Sequence, residues 1–231
     1  MKQLAPGLSE LELKIPMEGI PPNSLNVWLA GDVVIDSAVR PFAGLVLAEL
    51  EGQTVSALSL THGHMDHQGG APAICDALSI PLFCPELEAE YVESGDILPL
   101  VPDNPRNRED IATYGGPAHP VSRRLKEGDE VGGFIVLDTP GHSPGHISYW
   151  RESDRVLIVG DAISNMHAET FEVGLMEPLE QFTLDPARNR ESIRRLAALD
   201  PALACFGHGP SIADPDALHA FAESLSAEVA S

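Results

Sequence analysis

The segment THGHMDHQGG (61–70) places His62, His64, Asp66 and His67 within six consecutive positions, in a chain with nine histidines in all. Buried without partners, such groups are costly. The residues before them, VSALSL (55–60), read as a buried strand, and APAICDAL after the two glycines reads as a helix. Any fold for this chain must therefore bring four ligand-type side chains to the carboxyl end of a strand, where the backbone turns into a helix. That is the usual location of a site in an α/β protein. Side chains two apart in an extended segment point to the same side, so His62 and His64 can converge on one point. Asp66 and His67, at the turn, can converge on a second. Imidazole with carboxylate is a natural donor set for zinc, iron or manganese.

The rest of the chain alternates in the same way. Residues 10–17 read as a half-buried strand, and LNVWLA and DVVIDS, split by Gly31-Asp32, as a hairpin. FAGLVLAELEG (42–52) reads as a helix, PLFCP as a short strand and PELEAEYVES as a helix. Residues 95–119 are rich in Pro, Gly and Asn and read as a long loop, functional or mobile. Strands are expected at FIVLDTP (134–140), ISYW and RVLIVGD (155–161), followed by an irregular stretch at 162–182. PARNRESIRRLAAL is an amphipathic helix whose Glu191 and Arg195 are spaced for a surface pair, ALACFGHG a last strand and loop, and DPDALHAFAESLSAEV a final helix. No repeat or linker divides the sequence, so the expectation is one layered α/β domain over 1–231.

Three further ligand-type residues each follow an apolar strand and adjoin glycine: His142 in LDTPGHSPGH, Asp161 in VLIVGDA and His208 in ACFGHGP. Five imidazoles and two carboxylates suffice for two divalent ions. Carrying HxHxDH with these three partners in order, the sequence resembles the metallo-β-lactamase superfamily from the LNVWLAG–VVIDS hairpin to FGHG. The resemblance implies an αββα four-layer sandwich with two mixed sheets and a metal site at one edge. It implies that His62, His64 and His142 hold one metal, that Asp66, His67 and His208 hold a second, and that Asp161 bridges them. Zinc is the expected pair, with iron or manganese as alternatives.

Two divalent ions lower the pKa of bound water from 15.7 to roughly 7. The expected reaction is hydrolysis of an ester, lactone or thioester by a metal-bridging hydroxide, with Asp66 passing a proton to the leaving group. His146, four residues after His142, reads either as a partner orienting a ligand or as a strand residue. His119, His167 and His219 lack a ligand-like setting. Phe171, Leu175, Met176, Leu179 and Phe182 make 162–182 apolar, as either a tucked core loop or the rim of an acyl pocket.

Within the superfamily, the TPGH stretch resembles glyoxalase II, but only a short tail follows His208 where that enzyme carries a glutathione-binding domain. All seven ligands match the N-acyl-homoserine-lactone lactonases, yet AISNMH after Asp161 lacks their tyrosine, for which Tyr114 is the substitute at hand. The superfamily's β-lactamases are usually exported, and its tRNA-processing members carry an extra arm. Three other readings stay open. Persulfide dioxygenases of the superfamily hold one iron, here on His62, His142 and Asp161. Gly-His-Ser-Pro-Gly (141–145) matches the G-x-S-x-G elbow of serine hydrolases, with Ser143 as nucleophile. A decayed, non-catalytic binding domain is the third.

The formal net charge of −21 opposes a phosphate-tracking nucleic-acid binder and docking on anionic lipid. Cys75, Cys84 and Cys205 show no CxxC spacing and read as buried thiols. MKQLAPGLSELELKIP has no apolar signal-like run. The expectation is a cytoplasmic enzyme acting on a small molecule, with no membrane or nucleic-acid partner and with homo-oligomerisation open.

Overall fold

The computed structural model describes residues 1–15 and 23–227. Seven strands form a first sheet in chain order: β1 (Lys2–Ala5), β2 (Leu8–Ile15), β3 (Asn23–Ala30), β4 (Val33–Ile35), β5 (Ala57–Ser59), β6 (Leu82–Pro85) and β7 (Arg123–Leu125). β1 to β4 pair antiparallel, and β4 to β7 pair parallel. The change of sense follows the connections, because parallel neighbours need a crossover. These crossovers carry α1 (Ala43–Glu49), α2 (Met65–Gln68), α3 (Ala71–Leu78), α4 (Ala89–Ser94) and α5 (Pro105–Tyr114).

The second half supplies β8 (Glu130–Val131), β9 (Phe134–Asp138), β10 (Ile147–Arg151), β11 (Val156–Gly160), the hairpin β12 (Ser164–Met166) and β13 (Val173–Met176), α6 (Pro186–Ala197), β14 (Leu203–Phe206) and α7 (Pro215–Ala227). The second sheet has the order β14-β11-β10-β9-β8, with β14 parallel to β11.

Strand periodicity sorts the side chains into three apolar layers. On β3, Trp28 and Ala30 face the second sheet, where they pack with Phe134, Val136, Tyr149 and Ile158. Val27 and Leu29 face outward and pack with α1 and α3 through Val46 and Ile74. On β11, Leu157 and Val159 pack against Ile193 and Leu196 of α6 and Leu218 of α7. Strands buried on both faces read as continuous apolar runs, which is why VLIVG lacks alternation. The result is helices, sheet, sheet, helices, as expected. Tyr149 joins the sheets beside the ligand segment: its hydroxyl donates to the Leu60 carbonyl at 2.7 Å.

Several sequence expectations change here. Residues 95–119 are not one loop, because α5 starts within them where the Asn104 side chain accepts from Asn107 N and Pro105 opens the first turn. The irregular stretch 162–182 contains the β12–β13 hairpin. β1, β7 and β8 were not expected. The first predicted strand is β2, and its residues 16 and 17 lie outside the described residues, as do residues 228 and 229 of the predicted last helix. Arg195 reaches Glu127 at 2.5 Å and the Asp138 carbonyl at 2.7 Å, rather than Glu191. All three cysteines are buried and free, and burial pushes the Cys75 and Cys205 thiols up to about 12. Among the described residues no helix is long and apolar enough to cross a membrane.

Candidate metal centre

The ligand-type residues predicted from the sequence meet at the carboxyl ends of four strands. His62, His64, Asp66 and His67 follow β5, His142 follows β9, Asp161 follows β11 and His208 follows β14. They form two groups, His62–His64–His142 and Asp66–His67–Asp161–His208. Within each group the potential ligand atoms lie within 4.8 Å of one another. Asp161 adjoins both: its Oδ2 is 3.8 Å from His142 Nε2, 3.3 Å from His67 Nε2 and 3.2 Å from His208 Nε2. Gly207 gives it room, because a Cβ there would collide with Asp161 Oδ1.

Each of the five histidines has one ring nitrogen engaged away from the cluster. His67 Nδ1 meets Asp36 Oδ2 at 2.9 Å, and His208 Nδ1 meets the Ser24 carbonyl at 3.0 Å. His64 Nε2 meets the Leu100 carbonyl at 2.8 Å. Thr61 Oγ1 donates to Asp36, so it accepts from His62 Nδ1 at 3.0 Å. Thr183 Oγ1 donates to the Leu179 carbonyl, so it accepts from His142 Nδ1 at 3.2 Å. In the neutral imidazoles of His62, His64 and His142 these bonds fix the tautomers and leave the opposite nitrogens as lone-pair donors turned inward, and His67 and His208 would offer theirs once their inward protons leave. His62 Nε2, His67 Nε2, His142 Nε2 and Asp161 Oδ1 are buried without a hydrogen-bond partner. Each orphaned atom costs about 1–3 kcal/mol, and four gathered together are the signature of a site that a cation completes.

The electrostatics differ between the two groups. Burial, reinforced by the neighbouring imidazoles, holds His62 and His142 well below the usual histidine range, and burial also lowers His64. Burial opposes a charge on His67 and His208 too, but the carboxylates outweigh it. Asp161, Asp36 and Asp66 hold His67 well above its ordinary value, and Asp161 and Asp66 raise His208 to about 10. In return, although burial opposes its ionisation, Asp161 is held well below the carboxylate range by His208 and His67. Protons thus balance the acids of the second group, and a divalent cation would take their place.

His146 is not in either group. Its Nε2 accepts from the Asp161 backbone N–H at 2.9 Å, and its Nδ1 donates to Thr139 Oγ1 at 2.8 Å. Burial lowers its pKa to about 3, so it stays neutral and holds the Asp161 backbone in place. Gly160 makes this possible, since it has a φ of +64° and a Cβ there would stand 2.6 Å from His146 Nε2.

Asp36 is a member of the site that the sequence reading missed. It is fully buried, has a φ of 62°, and accepts from Thr61 N, Thr61 Oγ1 and His67 Nδ1 at 2.8–2.9 Å. The available signal was an acid closing the apolar run VVI. Ser143 is also fully buried, and its hydroxyl donates to Glu88. The chain beyond it enters β10, not a helix, so an elbow geometry is absent. His167 caps a turn by accepting from Glu169 N and Thr170 N. His119 lies beside Asp76, and His219 lies beside Asp200.

A cavity of about 480 Å³ opens onto His64, Asp66, His142, Asp161 and His208. Phe171, Met176, Leu179 and Phe182 line it, with Tyr114 from α5. Leu175 instead packs against the outer core of the second sheet. Successive residues of a strand face opposite ways, so one short strand serves both the core and the cavity.

The family model described as metallo-beta-lactamase superfamily matches residues 21–208. The probable metallo-hydrolase YflN of Bacillus subtilis is 32% identical over 199 residues, 77% of this chain and 75% of that protein. The hydroxyacylglutathione hydrolase of Bdellovibrio bacteriovorus is 28% identical over 64% of this chain, and this chain spans only 46% of that enzyme. Among solved structures, TTHA1623 in a di-iron-bound form superposes with a TM-score of 0.62 at 28% identity, covering 87% of this chain and 94% of that one.

Proposed function

The chain belongs to the metallo-β-lactamase superfamily, and from that premise we propose a dinuclear, zinc-dependent hydrolase that opens an ester, lactone or thioester bearing an apolar acyl group. The observation that carries this reading is the pair of adjoining donor groups, with Asp161 of the second 3.8 Å from His142 of the first and buried atoms of both left without partners. His62, His64 and His142 would hold one ion, Asp66, His67 and His208 the other, and Asp161 both. When bound, such ions supply Lewis acidity and water activated near neutral pH. The di-iron form of TTHA1623 supports a two-metal centre.

The chain's own groups arrange the rest. Asp66 lines the cavity, with Oδ2 3.2 Å from His208 Nε2, so it is placed to receive a proton and return it to the departing oxygen or sulfur. Tyr114, which also lines the cavity, would offer a phenol to the substrate carbonyl. The charges around the apolar wall compensate one another. Arg106 lies 5.5 Å over the Phe182 ring and 3.5 Å from both Asp110 and Glu169, and Arg190 holds Glu177 in a two-pronged pair. That favours an uncharged acyl chain.

Elemental analysis of protein purified without chelator tests the centre. About two zinc per chain, with esterase or lactonase activity lost on chelation and restored by zinc, is the expected result. Close to one iron per chain, or activity surviving in metal-free protein, would overturn it. The acyl assignment has its own test. Met176→Ser is expected to raise KM for an octanoyl ester about tenfold, the worth of roughly two buried methylenes, with an acetyl ester little affected. An unchanged chain-length profile would remove that assignment.

A further inference from the structure

Glu88 lies outside both donor groups, yet it ties together the two loops that carry the three-histidine group. It is fully buried between β6 and α4. Its Oε2 accepts from Gly63 N, between His62 and His64, at 2.5 Å. Its Oε1 accepts from Gly145 N at 2.8 Å and from the hydroxyl of Ser143, next to His142. The glycines of both loops reflect this packing. A Cβ at Gly145 would stand 2.8 Å from Glu88 Cγ, and one at Gly63 would stand 2.5 Å from Leu100 Cδ1 and 3.1 Å from Glu88 Oε2. A buried carboxylate is costly unless it is hydrogen-bonded, and here the three donors all come from metal-site loops. The outer bonds of His62, His64 and His142 fix how each ring is turned. They do not fix how far apart the two loops stand. Glu88 bridges that gap directly, and the backbone bond from Ile147 N to the Thr61 carbonyl at 2.9 Å supports it.

We propose that Glu88 is a positioning residue for the three-histidine half of the centre: it sets the spacing of the two loops and thereby the divalent-ion affinity of that half. This rests on the metal-centre reading above. It also gives the Ser143 hydroxyl a role in holding the His142 loop.

The test is zinc titration of the metal-free full chain against a chromophoric chelator, together with the visible spectrum of the cobalt-loaded protein. Glu88→Gln keeps an acceptor for one loop and turns an amide N–H against the backbone N–H of the other. The expected result is a loss of about 10- to 100-fold in affinity at the three-histidine half, the usual scale for an outer hydrogen-bond partner of a ligand. The cobalt bands should shift while the other half stays near its wild-type affinity. His142→Ala, which removes the first half, identifies which binding step belongs to which group. If Glu88→Gln lowers the melting temperature but leaves both affinities and the cobalt spectrum unchanged, Glu88 is merely structural and the proposal is overturned. Should that variant not fold, Ser143→Ala carries the test, with an expected weakening of about two- to tenfold for one lost hydrogen bond; unchanged affinity overturns the proposal. Wild-type protein that binds no divalent ion would overturn the metal-centre reading, and this proposal with it.

Discussion

Asp161→Ala is expected to empty both halves of the centre and to lower kcat/KM by about four orders of magnitude or more. Its Oδ2 is the oxygen that His67, His142 and His208 all face, at 3.2–3.8 Å. Removing it separates the two groups and takes away the largest charge holding protons on His67 and His208. Lewis acidity at such a centre is worth several kcal/mol, and each ~1.4 kcal/mol is tenfold in rate. Metal content and kcat/KM should therefore collapse together. A variant that keeps two ions per chain and wild-type turnover would show that Asp161 is no shared ligand.

Asp36→Ala is expected to be among the most destabilising single changes near the site. It leaves Thr61 N, Thr61 Oγ1 and His67 Nδ1 buried without their acceptor. At about 1–3 kcal/mol for each unsatisfied group, the loss is at least ~3 kcal/mol, or roughly 6–12 °C in melting temperature for a chain of this size. The left-handed φ of 62° adds strain for alanine. Asp36→Asn tolerates that backbone and keeps one acceptor, so it should fall between alanine and wild type. Thermal denaturation of the metal-free proteins measures this directly. A melting temperature for Asp36→Ala within about 2 °C of wild type, no more than the least that one lost buried bond would cost, would refute the account.

Much of the centre was legible because its information is local. His62 and His64 share a side of an extended segment, Asp66 and His67 open the next helix, and His142, Asp161 and His208 each close an apolar strand. Those spacings are properties of backbone geometry, available wherever the strands end. A layered α/β domain was legible for the same reason, from runs such as VLIVG that are buried on both faces, while the two-sheet sandwich was what the family resemblance implied.

What the chain alone could not show depends on contacts between distant segments. Asp36 meets His67 across 31 residues, and Glu88 meets Ser143 across 55. Neither acid has a spacing that marks it. The helix α5, polar along PRNREDIATY, was read as loop because it carries no apolar stripe, and its place beside the site came from packing. Phe171 and Met176 read equally as core or cavity until the β12–β13 hairpin turned Leu175 to one side and Met176 to the other. Sequence by itself thus determined the candidate donors, their order and the strands that deliver them, because period and burial are written along the chain. Tertiary structure alone decided which buried acids hold those candidate donors and their loops and which side chains wall the cavity, because these follow from which loops the closed sandwich brings together.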